Sequence, residues 1–362
     1  MPPLLAGDPA PYFVASSATR PTYVFDTAAG RYVVLCFLGA AGHPGAAGAS
    51  ALAEARGDLF DDANASFFGI TGAASDLAEG RLADRLPGRR FLADPHGLIA
   101  ASYLRGRDGE TTGWFLLDPT LRVLDSGRLE EGERILARLA ALPPAPLHAG
   151  QEPWAPVLLA PRVFEPGFCD ALVAYYRAKG GEDSGFMRDV GGRTVGVIDH
   201  AHKRRSDCVI EDEALRTEAR TRIEKRLLPL IRRFLGFEAT RMERYIVACY
   251  DGGTGGHFRA HRDNTTKGTA HRRFAVTLNL NDGFEGGELR FPEFGTRTYR
   301  APPGGAIVFS CAMLHEATPV TSGERFAFLP FLYDEAGAKL REANARFLDN
   351  GAGNYVANAA AG

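Results

Sequence analysis

A proline-rich stretch running from Leu142-Pro143-Pro144-Ala145-Pro146-Leu147 to Pro153 constrains this chain more than any other feature. Proline locks φ and removes a backbone donor, so closely spaced prolines neither continue a helix nor enter the interior of a sheet. Few apolar anchors accompany them. The stretch predicts two domains, residues 1–145 and 156–362, with 146–155 as an extended linker. A length of 362 residues suffices for two ordinary cores.

The hydrophobic pattern differs on the two sides. Before the break, Arg31–Leu38 is a continuous apolar run, the mark of a strand buried on both faces. Helical spacing follows over Ala49–Phe60, a strand over Ser66–Thr71, a helix over Ala74–Leu86, a strand over Thr112–Asp118 and an amphipathic helix over Leu129–Leu142. Alternating strands and helices predict an α/β domain. After the break, helices near Pro166–Ala178 and Glu213–Leu235 lead into many short strands with Gly/Pro turns, reaching about Tyr333. That order predicts an α+β domain with a sandwich or jelly-roll core. A last helix is expected near Glu335–Leu348, and a frayed tail over Gly351–Gly362.

Composition excludes several classes. Residues 1–150 carry 13 Arg and no Lys against 17 acids, and the remainder carries 29 basic and 27 acidic residues. Neither half concentrates a basic face, so nucleic acid is not an expected partner. No apolar run approaches the ~18 residues of a membrane span. The first residues lack a basic region and a long apolar core, so no signal peptide is expected. Five cysteines, odd in number and without C-x-x-C spacing, suit reduced thiols in a cytoplasm.

The chemistry lies in the stretch from Tyr250 to Asp263, YDGGTGGHFRAHRD. His261 and Asp263 are two apart, and on a strand residues i and i+2 share a face, so imidazole and carboxylate can meet one cation. His315 completes a set of two histidines and one carboxylate. Such a set binds non-haem Fe(II) on one face and leaves the other open. H-x-D alone occurs by chance; its neighbours make it specific. These are Phe284-Glu285-Gly286-Gly287-Glu288-Leu289-Arg290-Phe291, Pro303-Gly304-Gly305-Ala306-Ile307-Val308-Phe309, and Arg325 ten residues after His315.

Together these motifs resemble the 2-oxoglutarate/Fe(II)-dependent dioxygenases, in particular the prolyl 4-hydroxylase-like branch, over about residues 155–335. The resemblance implies a double-stranded β-helix with His261, Asp263 and His315 as iron ligands. It implies that Arg325 holds the far carboxylate of 2-oxoglutarate, a role suited to the planar guanidinium fork. Tyr250 falls near a family tyrosine that lines the cosubstrate pocket. Where relatives often have Tyr-Leu-Asn, this chain has Asn279-Leu280-Asn281; Thr277 and Asn279 share a strand face and are alternatives for the missing contact. The implied cofactors are Fe(II), 2-oxoglutarate and O2, with ascorbate as reductant. The implied reaction is hydroxylation of an unactivated carbon with release of succinate and CO2, because halogenating relatives lack the carboxylate that Asp263 supplies. A peptidyl proline, a protein or a small amino-acid-like molecule fits as substrate. A catalytically silent adaptor, recruiting a partner through the first domain, is the alternative. The oligomeric state is not legible.

The first domain resembles the peroxiredoxin family over roughly residues 5–142. Gly7-Asp8-Pro9-Ala10-Pro11-Tyr12-Phe13, Arg31–Leu38, Phe91-Leu92-Ala93-Asp94-Pro95-His96-Gly97 and Phe115-Leu116-Leu117-Asp118-Pro119 carry the likeness. It implies a thioredoxin-like fold. The family's thiolate belongs at the helix start after Leu38, where a helix N-terminus lowers a thiol pKa. Here that segment, Gly39–Ser50, holds no cysteine, and Cys36 lies inside the strand, so no peroxidase activity is expected. Its glycines do not form GxGxxG, and His43 reads as a solvated loop residue.

Other residues have plainer readings. His257 and His271 lack an i+2 carboxylate and read as loop residues. His200 and His202 read as part of a charged surface loop, with a substrate lid as the functional alternative. Lys203-Arg204-Arg205 reads as a solvated charge run, with attraction of an acidic substrate as its alternative. Cys249 and Cys311 read as core thiols.

Overall fold

A computed structural model describes residues 2–18, 22–106 and 109–348, and the backbone of Asn358–Ala359. The rest of the tail expected to fray lies outside the described residues. The chain forms two compact units, Met1–Ala155 with Pro292–Thr296, and Pro156–Phe291 with Arg297–Gly362.

The first unit is built on β1 (Tyr32–Gly39), α1 (Ala46–Ala55), β2 (Ala65–Thr71), β3 (Arg89–Ala93), α2 (Leu98–Tyr103), β4 (Gly113–Leu117), β5 (Val123–Gly127) and α3 (Gly132–Ala140). The sheet order is β3-β2-β1-β4-β5. β1, β2 and β3 run parallel, and β4 and β5 are antiparallel additions. Alternation sends Val34, Cys36 and Leu38 of β1 into a core with Ala49 of α1 and Ile135 and Leu136 of α3. Phe37 points the other way, onto Tyr103 and Phe115. β1 is therefore covered on both faces, as its unbroken apolar run requires.

Three expectations for this unit change. The helix predicted over Ala74–Leu86 is a single turn, Ser75–Ala78. Asp76 is the cause: its carboxylate accepts from Ala41 N at 2.8 Å, Thr71 Oγ1 at 2.7 Å and Arg81 Nε at 2.8 Å, and the chain wraps around it. Two strands escaped the pattern: β3, which opens on Arg89-Arg90, and β5, which ends in polar residues. The proline-rich stretch is not wholly extended; it holds a 3-10 turn, Ala145–Leu147, with Ala145 buried and its N–H donating to Asn64 Oδ1.

The second unit opens on a short strand, Leu158–Ala160, and then α4 (Pro166–Lys179), with proline at its first position, where the missing N–H costs nothing. A hairpin of β6 (Phe186–Val190) and β7 (Arg193–Val197) follows, then β8 (Lys203–Arg204) and β9 (Ser206–Val209). The helix predicted over Glu213–Leu235 is three pieces: α5 (Glu213–Arg222), a π turn (Ile223–Leu227) and α6 (Leu228–Leu235). Pro229 explains the break, because it removes an interior N–H and crowds the preceding turn.

The remaining strands are β10 (Arg241–Glu243), β11 (Ile246–Asp251), β12 (His257–His261), β13 (Phe274–Asn279), β14 (Phe284–Gly286), β15 (Leu289–Arg290), β16 (Ala306–Ser310), β17 (His315–Ala317), β18 (Val320–Phe328) and β19 (Phe331–Tyr333), closed by α7 (Glu335–Asn344). The larger sheet runs through β10-β19-β13-β18-β11-β9, with β16 also paired to β13 and the short strands Asn358–Ala359, Glu182–Asp183 and Leu158–Ala160 added to β10, β9 and β16. The smaller has the order β8-β12-β17-β15, with a fifth short strand, Thr298–Tyr299, beyond β15. All these pairings are antiparallel. β11 shows how the layers form. Val247 and Cys249 join a core with Phe168 and Leu172 of α4 and Ile231 of α6. Ile246, Ala248 and Tyr250 face the opposite side and pack with Ala317 of the smaller sheet. The helices thus cover one face of the larger sheet, and the candidate site lies on the other.

Candidate active site

β12 and β17 pair so that His261 and His315 are direct cross-strand partners, and opposed residues of an antiparallel pair project to one face. Asp263 follows the end of β12, its N–H held by Cys311 O at 2.9 Å. His261 Nε2 lies 3.6 Å from Asp263 Oδ1, and His315 Nε2 lies 3.3 Å from Asp263 Oδ2. Among the described residues these three form a group whose ligand atoms all lie within 4.8 Å of one another.

The second nitrogen of each ring explains the tautomer. His261 Nδ1 donates to Arg259 O at 2.7 Å, and His315 Nδ1 donates to Met313 O at 3.0 Å. Both Nε2 lone pairs are thereby directed at the shared point, as metal-ligating imidazoles require. Burial, aided by the neighbouring His315, pushes His261 down to about 4, so it is neutral near pH 7. Burial pushes Asp263 up, but the two imidazoles outweigh it and hold the carboxyl ionised below its ordinary range. Neutral imidazoles and a carboxylate form the donor set of a non-haem iron site. Phe258 stacks on His261 with ring centroids 3.5 Å apart, and Phe309 and Phe291 flank His315.

Arg325 enters the same cavity from β18, directly opposite Tyr250 of β11. It is 2% exposed. Its Nε donates to Asn279 Oδ1 at 3.1 Å, and its guanidinium lies 5.0 Å from the centre of the Tyr250 ring. No carboxylate of the described residues pairs with it. Thr277 lines the cavity; Asn279 instead anchors Arg325 and donates through Nδ2 to Ala301 O at 2.8 Å. The glycine-rich loop between β11 and β12 has a steric basis at Gly256, where a Cβ would sit 2.7 Å from Asp251 N.

Several plainer readings need correction. His257 lies in β12. His271 does lie in a turn, as expected, but it is buried there, with Nε2 3.0 Å from Glu243 Oε2. His202 is half-buried between Phe186 and Phe258, whereas His200 pairs with Asp183 at an exposed site. In the run read as solvated, only Arg204 is exposed, while Lys203 and Arg205 are buried. The strands β8 and β9 place them beside the cavity, and Arg205 Nη1 donates to Tyr250 Oη at 3.3 Å. Arg205 and Arg244 are cavity residues that pattern reading missed. For Arg205 the signal was the alternation in Arg205-Ser206-Asp207; for Arg244 the sequence offers none. Cys249 and Cys311 are buried free thiols, as expected.

Residues 245–333 match the family model of the 2OG-Fe(II) oxygenase superfamily. The matched stretch contains the whole candidate ligand set and Arg325. A PKHD-type hydroxylase from Hyphomonas neptunium is 32% identical over 94 residues, which is 24% of this chain and 41% of that protein. Another from a Synechococcus strain is 27% identical over 117 residues, covering 29% and 51%. The chain thus spans about half the length, or less, of these relatives. A prolyl-4-hydroxylase structure from Pseudomonas putida overlays with TM-score 0.38 at 18% identity, covering 49% of this chain and 92% of that one. The peroxidoxin BcpB from Mycobacterium tuberculosis overlays with TM-score 0.33 at 24% identity, covering 39% and 99%. Among the described residues, no helix is long and apolar enough to cross a membrane.

Proposed function

We propose that the second unit is an Fe(II)- and 2-oxoglutarate-dependent dioxygenase with a jelly-roll, double-stranded β-helix core. It hydroxylates an unactivated C–H bond of a peptide, a protein or a small amino-acid-like molecule. One observation carries this reading: two Nε2 atoms and one carboxylate converge in the cavity that also holds a buried arginine without a carboxylate partner. Iron with 2-oxoglutarate and dioxygen supplies an oxidative decarboxylation, to succinate and CO2, coupled to hydroxylation. The chain's own contribution is positional. His261, Asp263 and His315 hold the metal, with Arg259 O and Met313 O fixing both imidazole tautomers. Arg325 receives the far carboxylate of the cosubstrate, oriented by Asn279 and the Tyr250 ring. Phe258, Phe309 and Leu289 line the cavity and keep water from it. Ascorbate serves as the reductant that keeps the iron ferrous.

The first unit we read as a thioredoxin-like domain without peroxidase chemistry. Cys36, the thiol nearest the expected nucleophile position, is fully buried, and burial raises its pKa well above the ordinary value. Five free, buried thiols fit a reducing compartment, which favours the cytoplasm.

The full chain, given Fe(II), 2-oxoglutarate and air, is expected to release succinate, and the His315→Ala variant is expected to release none above background. Mass spectrometry of candidate peptides and extracts then seeks the product one oxygen heavier. Equal succinate from the variant and the natural chain would remove the metal site from the reaction and overturn the reading.

A further inference from the structure

Arg205 and Arg244 line the cavity but have no task in the chemistry above. Together with Lys203 they are gathered around a single acid, Asp207. Its Oδ2 accepts from Arg205 Nη2 at 2.6 Å, Arg244 Nη2 at 3.2 Å and Ser184 Oγ at 2.5 Å. Lys203 Nζ joins through the same hydroxyl, at 2.7 Å. Two guanidiniums on one carboxylate leave positive charge in excess, and buried charge is costly unless it is paired.

Two further observations point the same way. The Nε atoms of both Arg205 and Arg244 are buried without a hydrogen-bond partner. Arg244 also holds φ at +67°, a backbone state that a side chain with a Cβ adopts only when its surroundings impose it. Strain of this kind gathers where a side chain must be presented to a ligand. The guanidinium of Arg244 rests over Phe331, its centre 5.2 Å from the ring, and both residues line the cavity.

Loading the site does not remove the excess. A divalent metal and dianionic 2-oxoglutarate cancel each other. Among the residues that line the cavity, Arg205, Arg244 and Arg325 then stand against Asp263, and with Asp207, the ion-pair partner of Arg205 and Arg244, one positive charge remains. We propose that the substrate carries a carboxylate and that Arg244 receives it, with the Arg205–Asp207 pair holding Arg244 in place. This inference rests on the oxygenase reading for the cavity's being a reaction site, and it narrows the substrate class. The carboxylate belongs either to a free amino-acid-like molecule or to an acidic side chain of a peptide.

The test is binding rather than turnover. The full chain is loaded with Co(II) and saturating 2-oxoglutarate and titrated calorimetrically with matched pairs. One arm uses N-acetyl amino acids and their amides; the other uses capped peptides bearing Glu or Asp and their Gln or Asn counterparts. The expected result is that the acid of one arm binds about tenfold or more tightly than its amide, the scale of a charge-assisted hydrogen bond. That arm identifies the source of the carboxylate. Arg244→Asn, a residue that tolerates positive φ, is expected to erase the preference, and Arg244→Lys to retain part of it. If no acid binds better than its amide, or if Arg244→Asn keeps the preference, the proposal falls. Failure of the oxygenase reading is seen separately, as 2-oxoglutarate affinity indifferent to Arg325, while the acid–amide comparison still decides the role of Arg244.

Discussion

Replacing Arg325 by methionine tests its proposed contact with 2-oxoglutarate. Methionine nearly fills the same volume and removes only the charge and its donors. In the folded protein Arg325 is 2% exposed, and its Nε reaches Asn279 Oδ1 at 3.1 Å. Burial lowers its pKa, and the neighbouring Arg205 and Arg300 add to the shift, so the free protein holds this cation at a cost. A carboxylate docked there gains a desolvated, charge-assisted partner, and truncating one side of such a pair costs about 2–5 kcal/mol. The expected loss of 2-oxoglutarate affinity is therefore roughly 30- to 5,000-fold. Stability should move little. Relief from the buried charge opposes the loss of one hydrogen bond to Asn279, worth about 1 kcal/mol. Anaerobic calorimetry of 2-oxoglutarate into the Fe(II)-loaded natural chain and Arg325→Met measures the first quantity, and thermal melting of the metal-free proteins the second. An affinity within about threefold of the natural chain would refute the reasoning, because that is under 1 kcal/mol. Iron affinity is expected to be unchanged, since the hydrogen bond and ring contact of Arg325 go to Asn279 and Tyr250 rather than to His261, Asp263 or His315.

Two further outcomes test the two units separately. Glu243, 1% exposed, accepts from Arg272 Nε at 2.7 Å and hydrogen-bonds His271; burial pushes its carboxyl up, but the Arg272 charge and the His271 hydrogen bond outweigh it and bring it down to about 2. Its folded pKa lies below the ordinary 4.5, so its stabilisation is complete above that value and is lost as pH falls toward 2. Glu243→Gln should destabilise the protein by about 3–5 kcal/mol at pH 7, as breaking a buried pair does. The difference in melting should shrink as pH falls from 4.5 toward 2, and a difference that stays constant there would contradict the ion-pair account. In the first unit, Cys36 should resist alkylation until the protein unfolds, and the chain should not consume hydrogen peroxide; rapid labelling of Cys36 by mass spectrometry under native conditions would contradict its burial.

Much of the molecule was legible because its signals are local. The apolar run of β1 announced a strand with both faces covered, and Pro166 marked the start of α4. The two-residue spacing of His261 and Asp263 foretold that the two lie together, although the strand ends at His261 and Asp263 is placed by the turn after it, through its N–H to Cys311 O. Where a long-range partner decides, pattern reading failed. The segment after Ala74 has helical spacing, but the Asp76 carboxylate captures the backbone of Ala41 and the hydroxyl of Thr71, and the helix ends after one turn. Glu213–Leu235 is helical throughout, yet one proline splits it around a π turn.

Residue order and periodicity announced the change from an α/β to an α+β order, the lack of cysteine in Gly39–Ser50, and the two-residue spacing of His261 and Asp263. These depend only on backbone periodicity and residue chemistry. Long-range strand pairing makes His315 the cross-strand partner of His261, sets Asn279 against Arg325, and buries Lys203 and Arg205 instead of leaving them solvated. A charge run carries no record of its own environment. Whether it meets water or a cavity is fixed by which strands, distant in sequence, close over it.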